Sequence, residues 1–128
     1  MQACKFTITT AVDGEISTVV KSGRMDILDD RFILYYQEEG ANVCIVLQKN
    51  EAVIDRQGDY LLHLPLQQGE MSVGSIGLGG SDGKISIQTH SVKYSQDRNL
   101  FKLSLRYDLI FSEEERQKMR LNLRATLK

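Results

Sequence analysis

A strict alternation of apolar and polar residues near the C-terminus constrains the fold of this chain more than any other feature. From Phe101 to Phe111 every second residue is apolar, and the same pattern returns from Lys118 to Lys128. Successive side chains of a β-strand point to opposite faces of the sheet, so this period predicts two antiparallel strands with one buried and one wet face. The charged segment Ser112–Arg116 between them predicts a hairpin loop, or at most one helical turn.

Shorter alternating segments fill the rest of the chain and bring the total to about nine or ten strands. Turn-forming pairs such as Asp13-Gly14 separate them, and no helical segments intervene, which argues against a parallel sheet. So many strands leave exposed edges unless the sheet closes or folds over, which favours a closed barrel, with a sandwich as the alternative. Pro65 predicts a sheet edge, a bulge or a barrel rim at its position.

The length of 128 residues fits one domain spanning residues 1–128. No apolar run approaches the roughly 20 residues of a membrane helix, and the N-terminal residues lack the apolar core of a signal peptide. We therefore expect a cytoplasmic protein with no membrane association. Cys4 and Cys44 lack metal-ligand spacing, and we expect two free thiols.

Charge is distributed unevenly along the chain, although the net charge is only −1. Basic residues gather on the polar faces of the last two predicted strands: Lys102, Arg106, Lys118, Arg120 and Arg124, with Asp108 among them. Such a patch predicts an interaction surface for a protein or RNA partner, and the alternative is an ordinary solvated wall. No aromatic residue interleaves on that face, and the overall pI is not basic, which argues against nucleic acid.

The apolar faces of the strands suggest a second candidate site, in the interior of the barrel. Tyr36, Tyr60, Phe101, Leu105 and Tyr107 fall in the apolar sets of their strands. Small barrels either fill their interior with side chains or enclose one small ligand. An apolar or amphipathic small molecule is therefore one candidate ligand, and a filled core is the alternative. A homodimer is compatible with the sequence.

The sequence contains no recognisable motif for catalysis, for metal binding or for cofactor binding. The glycine-rich stretch 69–83 has neither the spacing of a phosphate-binding loop nor that of a dinucleotide fingerprint, and we expect a strand and a turn at Ser81-Asp82-Gly83 instead. His63 and His90 lack companion ligands at zinc spacing, and no serine lies in a nucleophile elbow. We therefore predict no enzyme activity, no metal and no cofactor.

Four runs of this sequence resemble the YwiB-like family of small bacterial proteins of unknown function. They are Ile33–Glu39, Gly83–Val92, Leu103–Leu109 and Met119–Leu123. The resemblance covers nearly the whole chain in order and spacing, and it implies a calycin-like barrel of the lipocalin type. Family members often carry a tyrosine before a glycine ahead of the Gly83 strand. The region Ile76–Gly80 has no tyrosine, so no role of that aromatic carries over.

Overall fold

Ten β-strands make up the computed structural model, which describes residues 2–127. No helix occurs between these residues, and so none there could cross a membrane. The strands are β1 Gln2–Val12, β2 Glu15–Ile27, β3 Phe32–Glu38, β4 Ala41–Gln48, β5 Glu51–Gln57, β6 Tyr60–Gln67, β7 Met71–Leu78, β8 Ser81–Asp97, β9 Leu100–Ile110 and β10 Arg116–Leu127.

The strands follow one another around a closed antiparallel barrel. Each pairs with its neighbours in sequence, and β1 pairs with β10 from Cys4 opposite Leu127 to Val12 opposite Met119 to complete the ring. The predictions of an all-β meander, of nine or ten strands and of a calycin-like barrel are confirmed.

Apolar side chains from every strand except β7 fill the interior. Leu103 and Leu105 of β9 lie opposite Leu123 and Leu121 of β10, and all four are buried. The alternation that predicted one buried face of this hairpin therefore holds for most of its length. Asp108 is one exception, because it belongs to the outward set and is nevertheless buried. Phe111 is another: it lies just beyond β9 and is 47% exposed, because the loop to β10 begins there with its N–H bonded to the Glu115 carbonyl at 2.9 Å.

The two ends of the barrel differ in chemistry. At one end the rings of Phe32, Tyr94 and Phe101 pack together, with centroids 5.0 to 6.4 Å apart. At the other end the Arg56 guanidinium lies 3.8 Å from the ring centre of Tyr60. One end is therefore covered by aromatic rings and the other carries a charged side chain.

Irregularities in the ladder occur at β6 to β8. Pro65 pairs with Val53 of β5, while the pairing of β6 with β7 ends at His63, so the proline lies where one side of β6 has no ladder partner. This agrees with the predicted edge or bulge at Pro65. The turn between β7 and β8 lies at Gly79-Gly80 and not at Ser81–Gly83, because both of these glycines adopt positive φ, of 59° and 85°.

Part of one edge of β2 has no ladder partner. Residues 15–22 of β2 pair with β1, but β3 joins β2 only from Gly23, which lies opposite Tyr36. Among the residues that the structure describes, none pairs with the other side of this segment. We call residues 15–22 the free β2 edge.

Candidate functional site

The outward faces of β9 and β10 carry the basic residues that the alternation assigned to one surface. Lys102, Arg106, Lys118, Arg120 and Arg124 are all exposed, and their strands pair directly along this hairpin. We call these five residues the basic wall. The structure thus brings together the complete set of predicted surface residues.

Like charges face each other across the two strands of the basic wall. Arg106 lies opposite Arg120, and Lys102 lies opposite Arg124. Directly opposed like charges destabilise an antiparallel pair, by roughly 0.2–1 kcal/mol each. The two pairs are four residues apart along β9, a separation of about 14 Å at the usual rise per residue.

No carboxylate in the described part of the chain neutralises these two pairs. Among residues 2–127, no ion pair involves Lys102, Arg106, Arg120 or Arg124. The nearby Asp108 has its side chain only 8% exposed, and its Oδ2 atom lies 3.1 Å from His90 Nε2 and 3.5 Å from Arg116 Nη1. The one acid of this face is therefore already paired with other groups.

A bulge in β8 places His90 beside Asp108. The register between β8 and β9 shifts between Thr89 and Ser91, so His90 has no opposite residue in β9. Its ring reaches Asp108 across the shifted ladder. Sequence reasoning could not pair His90 with Asp108, because a bulge leaves no pattern in the alternation.

Two open grooves run over the outer surface of the barrel beside the basic wall. The larger, with a volume of about 640 Å³, is lined by Arg106, Lys118 and Arg120 together with His90 and Asp108. The smaller, of about 430 Å³, is lined by Lys102 and Arg124, and by Lys93 of β8. All five residues of the basic wall therefore line a groove.

The residues predicted for the interior site occupy two different places. Tyr36, Phe101, Leu105 and Tyr107 are buried inside the barrel. Burial raises the pKa of Tyr107 from 10.0 to about 12, and it raises the pKa of Tyr36 as well. Tyr60 lies at the end of the barrel, half-buried under Arg56. Unlike the other four residues, it is therefore not part of the buried interior.

Thr89 is an interior polar residue that sequence reasoning did not select. Its side chain is fully buried opposite Tyr107, and among the described residues its Oγ1 is the buried side-chain atom without a hydrogen-bond partner. Its backbone is satisfied, since its N–H donates to Glu70 and its carbonyl accepts from Gly69. A threonine in an alternating strand gives no signal that its hydroxyl is unpaired.

Metal ligands do not cluster in the part of the chain that the structure describes: it contains no group of three histidine, cysteine or carboxylate residues that could hold an ion. The thiols of Cys4 and Cys44 are free, and burial raises the pKa of both.

Comparison with known proteins identifies the family. Residues 3–123 match the family described as Domain of unknown function (DUF1934). The chain belongs to the DUF1934 family. No curated protein matches the sequence.

A solved structure shares the fold of this DUF1934 chain. The crystal structure of the ywiB protein from Bacillus subtilis superimposes with a TM-score of 0.85 and covers 99% of this chain and 92% of that one. The identity is 12%, so the likeness concerns the fold. The resemblance to the YwiB-like family inferred from the strand patterns is confirmed, and DUF1934 carries no assigned activity.

Proposed function

We propose that this protein is a binding module whose basic wall docks an acidic segment of another protein. The observation that carries the proposal is the pair of like-charged contacts, Arg106 with Arg120 and Lys102 with Arg124, that no carboxylate of residues 2–127 neutralises. A wall selected for stability alone would place opposite charges across the strands. A bound anion relieves this repulsion and replaces the missing carboxylates.

An acidic protein is favoured over nucleic acid as the partner. The net charge of −1 opposes general attraction to polyphosphate, and the exposed positions of the basic wall carry no aromatic ring on which bases could stack. Guanidinium groups bind carboxylates in a bidentate manner, which suits Glu and Asp side chains spaced along an extended segment. We place this function in the cytoplasm, a proposal supported by the two free thiols.

Charge reversal tests the basic wall. We expect Arg106→Glu combined with Arg124→Glu to weaken binding of a labelled polyglutamate peptide at least about tenfold at low salt, because both grooves lose an unpaired cation. Fluorescence anisotropy at several salt concentrations measures the affinity. The matched control is Arg31→Glu combined with Lys49→Glu, which changes the net charge equally at exposed loop positions between other strands.

The outcomes separate the candidate partners. Loss of peptide binding in the wall variant alone supports the proposal. Tighter binding of RNA than of polyglutamate, lost in the same variant, would instead identify nucleic acid as the partner. Equal affinities of the wall variant, the control and the unaltered protein would refute the basic wall as a binding site.

We propose as a second function that the interior binds a small apolar or amphipathic molecule. The supporting observation is the Thr89 hydroxyl, which is fully buried, has no hydrogen-bond partner among the described residues and belongs to a residue opposite Tyr107. A polar group on a ligand would satisfy it, and the apolar residues Phe101 and Leu105 would contact the rest of the molecule.

Native mass spectrometry of gently purified protein tests the interior site. We expect an additional mass that disappears on denaturation and that is reduced in Thr89→Val. The isosteric variant removes the hydroxyl without removing volume. If the unaltered protein carries no added mass and Thr89→Val is more stable to heat, the hydroxyl is simply a buried unsatisfied group and the interior is a packed core.

A further inference from the structure

The free β2 edge offers an unoccupied site for strand pairing. In a β-strand every second residue directs its N–H and C=O groups to the same side, so the edge presents a row of unpaired donors and acceptors. Natural edges are usually protected by proline, bulges or several charges, and residues 15–22 contain no proline and only Glu15 and Lys21 as charges. This edge lacks the usual protection against pairing.

Apolar side chains flank the same edge. Ile16 is 72% exposed and Val20 is 54% exposed, and both belong to the outward set of β2; Val19, on the opposite face, is 43% exposed. Water therefore reaches both faces of this segment. An added strand would cover backbone and apolar surface together.

The edge is held in place before any partner binds. The turn at its end is tied to β10, since the Asp13 N–H donates to the Lys118 carbonyl at 2.9 Å and the Lys118 N–H donates to Asp13 Oδ1 at 2.8 Å. Thr18 Oγ1 also lies 3.2 Å from Thr9 Oγ1 of β1. A preformed edge loses little conformational entropy on pairing.

We infer that the free β2 edge pairs antiparallel with the same edge of a second copy of this chain, forming a twofold symmetric dimer. Residues opposite each other in such a pair must point to the same face of the sheet. Because side chains alternate between the faces along a strand, the two residue numbers must both be odd or both be even. Gly23 is already paired with Tyr36 of β3 and limits the register. Two registers of seven residues avoid Gly23, with either Thr18 or Val19 opposite its own copy, and we choose the Thr18 register because it alone places Glu15 opposite Lys21.

The side chains are complementary in this register. Glu15 of each copy faces Lys21 of the other, so the dimer contains this opposite-charge pair twice. Ile16 faces Val20 of the other copy, also twice, and these residues are among the most exposed apolar side chains of the protein. Seven residues from each copy form an interface below the roughly 1,200 Å² typical of stable complexes, so we expect weak, concentration-dependent association.

Charge exchange tests this dimer by sedimentation equilibrium over a range of protein concentrations. We expect Glu15→Lys and Lys21→Glu each to raise the dissociation constant about tenfold, because each places like charges opposite one another twice. The double variant Glu15→Lys with Lys21→Glu restores opposite charges, and we expect it to dimerise like the unaltered protein. The control Glu51→Lys makes the same charge change at the start of β5, and we expect no effect from it.

Mixing the two single variants supplies an independent measurement. A Glu15→Lys chain and a Lys21→Glu chain are complementary at both pairs, so we expect native mass spectrometry to show the mixed dimer in excess over either homodimer. A monomeric unaltered protein at millimolar concentration would overturn the inference. So would a double variant as impaired as the single ones, or a mixture without preference for the mixed dimer.

Discussion

Tyr107 and Tyr36 place phenol groups in an apolar interior, which links the stability of the barrel to alkaline pH. Burial raises the pKa of Tyr107 from 10.0 to about 12, and burial followed by the charge of Glu38 raises the pKa of Tyr36. The neutral form is favoured in the folded state, so the stabilisation is complete below pH 10, where both states hold the proton. It is lost as the pH rises from 10 through the folded pKa, because only the unfolded chain then releases protons.

We expect the free energy of unfolding to fall above pH 10, with Tyr107 contributing about 1.4 kcal/mol per pH unit. In Tyr107→Phe this contribution should disappear. Urea unfolding followed by far-UV circular dichroism at pH 8, 10 and 11 measures the effect. The control is Tyr35→Phe, a half-buried tyrosine in the same strand as Tyr36 but on the other face, which should keep the slope of the unaltered protein. An unchanged slope in Tyr107→Phe would show that other groups dominate.

Residue chemistry was the part of the molecule least accessible from sequence. The basic wall followed from residue spacing, because alternation alone decides which side chains share a face. The contact between His90 and Asp108 did not, since it depends on a bulge that shifts the ladder by one residue. The position of Tyr60 under Arg56 also escaped prediction, because apolar alternation does not distinguish the middle of a barrel from its end.

At the scale of elements, Gly23 marks the point where β2 leaves its free edge and joins β3. A Cβ atom at Gly23 would collide with Phe6 Cε2 and with the Tyr35 carbonyl oxygen. Phe6 is fully buried and the carbonyl belongs to the backbone, so neither can move aside without disturbing the ladder. Glycine here permits a close approach of β2, β3 and the core.

We therefore expect Gly23→Ala to lower the free energy of unfolding by about 1–3 kcal/mol through overpacking. Thermal unfolding followed by circular dichroism measures the change. Gly83→Ala is a matched control, because a Cβ atom at Gly83 would meet its nearest neighbour, Ile76 Cγ2, at an ordinary 3.6 Å. Equal destabilisation by the two substitutions would indicate a general effect of replacing glycine in strands and not a contact at the junction.

Strands were predictable where one face is buried and the other is wet, as in β9 and β10. The turn after β7 was misplaced because Gly79-Gly80 and Asp82-Gly83 are both good turn sequences, and only the pairing of β7 with β8 decides between them. The free β2 edge was beyond prediction for the same reason. Its residues alternate like those of any strand, and only the point at which β3 begins to pair shows that one side is empty.

At the scale of the whole molecule, closure of the barrel was predictable from the number of strands but its register was not. A sheet of ten strands without helices to cover its edges has to close or fold over. The pairing of β1 with β10 that closes it joins segments more than a hundred residues apart, as in Lys5 opposite Thr126, and no local pattern encodes such a contact.

The proposed dimer and the basic wall are connected through the sheet. Pairing through β2 would continue the order β9, β10, β1, β2 into β2, β1, β10, β9 of the second copy, with a twofold axis through the sheet. Both basic walls would then face the same side. An acidic partner long enough to reach both basic walls would bind the dimer more tightly than it binds one wall, because its second contact would be intramolecular.

The ring of strands also bears on how the molecule comes apart. β1 lies between β2 and β10, and β10 lies between β1 and β9, so the first and the last strand both have neighbours on two sides. A sheet with open ends can unravel one terminal strand at a time, whereas here each terminal strand must break two ladders before it is released. A force applied to either terminus would therefore act on the pairing between β1 and β10 together with a second ladder. We expect the closed barrel to resist the removal of a terminal strand more than an open sheet does.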